Sequence, residues 1–146
     1  MSKYIKNAGA TKGADYYLKK IQDALIDNGA VGIQMMFESG RISALSFALP
    51  SIDGTDHKMA FQLPCNWRKT QQVLLNQNHP RRNDDDFCYK VAWATIKDWV
   101  EAQMAIYETE LVTMPQIFLP FAITKDGRTL SEVLANNPSM LLGSGN

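Results

Sequence analysis

From residue 31 to residue 63 the apolar positions recur every second residue, and on either side of that stretch they recur at helical spacing. Val31, Ile33, Met35 and Phe37 alternate with Gly32, Gln34, Met36 and Glu38, and Leu45, Phe47 and Leu49 alternate with Ala44, Ser46 and Ala48. Met59, Phe61 and Leu63 repeat the pattern before Pro64. Each run predicts a strand with one buried face. A three-residue loop, Glu38-Ser39-Gly40, pairs residue 37 with 41, 33 with 45 and 31 with 47, and puts the first two apolar sets on one face. That shared face predicts the register.

Before the strands, Tyr17, Leu18, Ile21, Ala24 and Leu25 predict a helix over about residues 15–28, stopped at Asn28-Gly29. After them, Asn66 is placed to cap a helix over about 67–77 that turns Trp67, Val73 and Leu74 inward. A long helix over about 85–109 opens on Asp84, Asp85 and Asp86, charges that suit the positive end of the helix dipole. Its apolar face includes Phe87, Val91, Ala92, Ile96, Trp99, Val100 and Met104. Thr113 with Gln116, and Thr129 with Glu132, form capping-box patterns ahead of a short turn and a last helix over about 130–136. The expected architecture is α+β: an N-terminal helix, a three-stranded antiparallel meander, then a helical C-terminal half with one long helix packed on the sheet. Residues 1–12 read as a flexible arm, 13–137 as a single α+β domain and 138–146 as a frayed tail.

A chain of 146 residues buries roughly two-thirds of its unfolded surface, enough for a core without metal or disulfide staples. Cys65 and Cys88 stand in no metal or redox spacing, and each lies among apolar residues where a buried thiol is expected. No apolar run approaches the ~20 residues needed to span a bilayer, and no signal-peptide core opens the chain. The reading is a cytoplasmic protein.

The formal net charge is zero, which argues against a general polyanion binder. Its distribution is uneven. Residues 57–82 carry Lys58, Arg68, Lys69, Arg81 and Arg82 and no acid. Residues 83–111 carry Asp84, Asp85, Asp86, Asp98, Glu101, Glu108 and Glu110 against Lys90 and Lys97. These stretches either face each other or form separate patches.

The pattern offers no catalytic residue, metal site or cofactor site. His57 and His79 are the only histidines, in turn-like settings. Asp84 to Asp86 lack the spacing of a calcium loop. No Gly-x-Ser-x-Gly elbow or glycine-rich phosphate loop is present. His57 and Cys65 flank the third strand, and nothing in the sequence requires them to meet. Trp67, Arg68 and Lys69, with Arg81 and Arg82 in the next loop, are candidates to hold single-stranded nucleic acid by phosphate attraction and stacking. Asp84, Asp85, Asp86 and Glu101 are the candidate partner-binding acids. Tyr89, Trp93 and Tyr107 are candidates for an exposed aromatic set, an interaction surface or a homodimer seam.

The stretch Val91-Ala92-Trp93, Lys97 to Gln103, Val112-Thr113, Phe118-Leu119-Pro120 and Gly127 to Leu130 resembles a group of small proteins encoded by tailed phages, prophages and mobile elements. The ALSF of residues 44–47 and the FQLP of residues 61–64 fit as well, so the resemblance spans about residues 15–135. It implies a phage or mobile-element accessory protein acting in a host cell, and assigns no role to Lys97-Asp98-Trp99. Beside an enzyme with scattered catalytic residues, two readings follow. One is a non-enzymatic binding module in nucleic-acid metabolism, using the basic stretch at 58–82, with single-stranded DNA as the partner. The other is an anti-CRISPR-like inhibitor of a host defence system that binds a host protein through the acidic long helix.

Overall fold

A computed structural model describes residues 3–51 and 53–143. Helix α1 (Ala14–Asp27) leads into strands β1 (Val31–Glu38), β2 (Arg41–Pro50) and β3 (Lys58–Pro64), which form one antiparallel sheet in the order β1-β2-β3. Helices α2 (Trp67–Asn76), α3 (Asp85–Tyr107), α4 (Met114–Phe118) and α5 (Leu130–Asn136) follow, with 3-10 turns at Leu119–Phe121 and Pro138–Met140. The fold is α+β, with the long α3 packed on the sheet, as the periodicities predict.

The main core joins α1, the sheet, α3 and α4. Leu18, Ile21 and Leu25 meet Leu45, Phe47, Leu49, Phe61 and Leu63 from the strands, and Trp93, Val100 and Met104 from α3. Phe47 stacks on Phe61 with ring centroids 5.5 Å apart, and Phe118 closes edge-on over Phe47 at 5.1 Å. A second core lies between α2 and the start of α3, built from Leu74, Phe87, Cys88 and Val91. Helix α3 is therefore buried on two sides along its first half. This corrects the reading of Trp93 as part of an exposed aromatic set: it is fully buried, while Tyr89 and Tyr107 are partly buried against the main core. Periodicity marks one apolar stripe, whereas a helix between two cores needs two. Trp99 packs edge-on against Phe118 and Phe121 and is partly buried.

Both capping boxes form, at Thr113/Gln116 and Thr129/Glu132. Asn66 does precede α2, but its side chain makes no cap bond. The N-terminal segment is docked rather than loose. Ile5 and Ala8 pack against the second core, the Ile5 amide donates to Gln77 Oε1 at 3.1 Å, and Asn7 donates to Asp98 at 2.9 Å. Residues 1–2 lie outside the described residues, as do 144–146 of the expected frayed tail.

The β1–β2 register differs from the expected one. Glu38 pairs with Arg41 and Phe37 with Ile42, so the loop is the two residues Ser39 and Gly40, both at positive φ (52° and 80°). That is the backbone of a type I′ turn, whose twist matches the strands it joins. The register then slips by one residue beyond Phe37, where Ser43 is the extra residue, and again between Val31 and Gln34, where Gly32 sits at φ 61°. These bulges do what the three-residue loop was expected to do: they bring Ile42 and Leu45 onto the same covered face.

Trp93→Ala is expected to cost roughly 3–5 kcal/mol, the range for emptying a large aromatic site in a core. Trp99→Ala should cost less, because Trp99 keeps part of its surface in water. Urea unfolding of the two variants checks the order.

Candidate interaction surface

The first turn of α3 carries three carboxylates, and each holds an arginine from a different part of the chain. Asp84 caps the helix by accepting the Phe87 amide at 3.1 Å, and its other oxygen accepts from Arg81 at 2.6 Å. Asp85 accepts from Arg68 of α2 at 3.1 Å and from Gln71 at 2.9 Å. Asp86 accepts from Arg41, the first residue of β2. The Arg81 hydrogen bond is the main cause holding the Asp84 carboxyl below its usual range, and the Gln71 amide does the same for Asp85.

These pairings decide what the basic stretch offers. Arg68 lies over the Trp67 ring at 4.0 Å and Arg41 lies over it at 5.0 Å, so the indole already contacts two of the chain's own guanidinium groups. Arg81 lies 4.3 Å over Phe87, and Arg82 donates to the His79 carbonyl at 2.9 Å. His79 is buried, stacked on Phe87 at 5.1 Å, with Nδ1 accepting the Arg81 amide. Among the described residues no ion pair reaches Lys58, the first residue of β3, or Lys69, in the first turn of α2. Of the five nucleic-acid candidates, Trp67 and Arg68 are brought together and Lys69 adjoins them, while Arg81 and Arg82 are held against the helix start.

The acidic candidates are paired in the same way. Glu101 accepts from Lys97 at 2.9 Å, one helical turn away. Asp98 is held by Lys6 at 3.2 Å and by Asn7, whose hydrogen bond is the leading cause lowering its pKa. Lys97-Asp98-Trp99 thus divides its labour: Lys97 and Asp98 in ion pairs, Trp99 against Phe118. In the acidic stretch, among the described residues, only Glu108 and Glu110 stand outside an ion pair.

An open groove of about 530 Å³ runs between the hairpin turn, the end of β3 and the start of α2, lined by Arg41, Trp67, Arg68 and Cys65. Burial pushes the Cys65 thiol up to about 12, so it is protonated near neutral pH and a poor nucleophile. His57 is at the far end of β3, and seven extended residues place it roughly 20 Å or more from Cys65.

Strand β1 carries an unassigned apolar surface. Val31 is 43% exposed, Met35 37%, Met36 42% and Phe37 68%, whereas every apolar residue from Leu45 to Leu49 on the helix side of β2 is buried. The apolar face expected to be buried on β1 is therefore only partly covered, most open at Phe37, and only Ile33 of that face packs against the core. The helices cover β2 and β3 and stop short of β1. The two sheet edges also differ. The Ile123 amide donates to the Ala60 carbonyl at 2.8 Å and Ala122 bridges Phe61, so a later segment covers the β3 edge. No described element pairs with the outer edge of β1. Sequence reasoning missed this site because alternation looks the same whether a strand faces its own core or a partner.

No protein-family model, no curated protein and no solved structure matches the chain. No described helix is long and apolar enough to cross a membrane.

The depressed carboxyls make a pH prediction. Asp84, Asp85 and Asp98 titrate lower folded than unfolded, where the ordinary value is about 3.9. Their contribution is complete above the unfolded value and is lost as pH falls through the folded ones. Urea midpoints are expected to drop from about pH 5 toward about pH 2, and to drop less in an Asp84→Asn/Asp85→Asn/Asp98→Asn variant.

Proposed function

We propose that this chain is a non-enzymatic interaction module, an accessory protein of a phage or other mobile element, and that it engages a protein partner through the outer edge of β1. The observation that carries the reading is the exposure of Met35, Met36 and Phe37 on a strand whose edge no described element covers. An edge of this kind is a template for a further strand: main-chain bonds supply affinity and alternate side chains supply specificity. Proteins that do not use an edge usually blunt it with lysine, proline or inward charge. Residues 31–37 contain no lysine, proline or charge, and their one bulge, at Gly32, lies near the start of the strand.

A protein partner fits better than nucleic acid. Phosphate binding would require Arg68 and Arg81 to leave Asp85 and Asp84, and the local charge they would bring is already neutralised. The acidic start of α3 is equally occupied, so phosphate mimicry by Asp84 to Asp86 has little support. Both cysteines are free and buried, which suits the reducing cytoplasm of a host cell.

A photo-crosslinking residue at position 37 is expected to yield protein adducts in cells, and the same residue at position 23, on the exposed side of α1, is not. In parallel, fluorescence anisotropy with a labelled single-stranded DNA is expected to show no saturable binding at low salt. Salt-sensitive DNA binding abolished by Arg68→Ala/Lys69→Ala, with no protein adduct from position 37, would restore the nucleic-acid reading.

A further inference from the structure

Backbone direction along β1 narrows what can pair with it. A two-residue hairpin closes on a hydrogen-bonded pair, here Glu38 with Arg41. Direction alternates from there, so Met36 and Glu38 turn their backbone groups toward β2, and Ile33, Met35 and Phe37 turn theirs outward. The Met36 carbonyl does face β2, where it accepts from Ser43 Oγ at 3.3 Å. The outward residues are centred on Met35, and their side chains share the helix side of the sheet. Ile33 packs on the core and Met35 lies opposite the buried Leu45.

We propose that the strand taken up by this edge is β1 of a second copy of the chain, antiparallel and two-fold symmetric about Met35, giving one continuous six-stranded sheet. This rests on the reading of β1 as a protein-docking edge and names its occupant. In that register Met35 faces Met35 of the other copy, and Ile33 faces Phe37 in both directions. All the outward backbone groups from 33 to 37 are then satisfied by bonded pairs. Phe37, the most exposed side chain of the strand, lands beside Ile33 of the copy, an aromatic–aliphatic pair across strands. Gln34 meets Met36 on the opposite face. A two-fold contact sets each patch against itself, so any charge near the axis would oppose its own kind. Residues 31–37 carry no charge, and the first, Glu38, would lie opposite Gly32. The Gly32 bulge bends the strand away just beyond Ile33, which ends the seam where the apolar pairs end.

Sedimentation velocity over a dilution series is expected to show twice the monomer mass, and Met35→Lys to give monomer with an unchanged circular dichroism spectrum. Met35→Cys tests the register. Bonded partners have Cα atoms about 5.5 Å apart, within the ~4.4–6.8 Å span of a disulfide. Oxidation should therefore link Met35→Cys chains in pairs. Gln34→Cys chains, whose counterparts lie diagonally at ~7–8 Å, should not link. Linkage at position 34 and not at 35 overturns the proposed pairing. A wild-type monomer at every concentration, with a position-37 adduct to a different protein, overturns self-pairing and leaves the docking edge standing. A monomer with no adduct ends both.

Discussion

Three carboxylates in one turn of helix tie together three arginines that the sequence scatters over forty positions. Arg41 belongs to the hairpin, Arg68 to α2 and Arg81 to the loop that precedes α3. Their partners, Asp84 to Asp86, sit where the helix dipole already favours negative charge. Guanidinium stacking on Trp67 and Phe87 adds packing to the ion pairs. The pairs are solvent-accessible, so each contributes modestly. Their consequence is chiefly functional. Arg68 and Arg81 of the basic stretch are held by Asp85 and Asp84 of the acidic one, so these two arginines are already partnered.

The sheet offers a different kind of contact. A three-stranded sheet has two edges, and every edge leaves backbone donors and acceptors to be satisfied. The chain closes the β3 edge with residues 122–123 and leaves β1 open. The same strand is the one whose apolar side chains the helices cover incompletely. Two independent shortfalls, unpaired backbone and uncovered side chains, meet on one short segment. A strand from another protein surface corrects both at once, which a nucleic acid could not do.

The fold was readable because its signals are local. Period-two alternation, the Thr113 and Thr129 capping boxes and the Asp84 to Asp86 run each depend on residues a few positions apart. What the sequence concealed depends on tertiary placement. Trp93 sits off the apolar stripe that the spacing of α3 marks, yet it lies in the main core, while Phe87 and Val91 of that stripe turn to the second core with Leu74. The turn at Ser39-Gly40 was hidden because two bulges repair the facing that a two-residue loop would otherwise reverse. The pairing of Arg68 with Asp85 and Arg81 with Asp84 was among the alternatives the charge pattern left open, whereas Arg41, the partner of Asp86, lies outside both charged stretches. The candidate site was the least legible part. Val31, Ile33, Met35 and Phe37 read as a buried face, and no local rule separates a face that meets its own core from one that awaits another chain.

Amide hydrogen exchange at Ile33, Met35 and Phe37, followed by NMR across a dilution series, tests this account most directly. Outward amides on an open edge exchange quickly, and those in a strand pair do not. Protection is expected at all three positions and should fade together on dilution, while the β2 amides stay protected throughout. Fast exchange at these three amides at every concentration would contradict it.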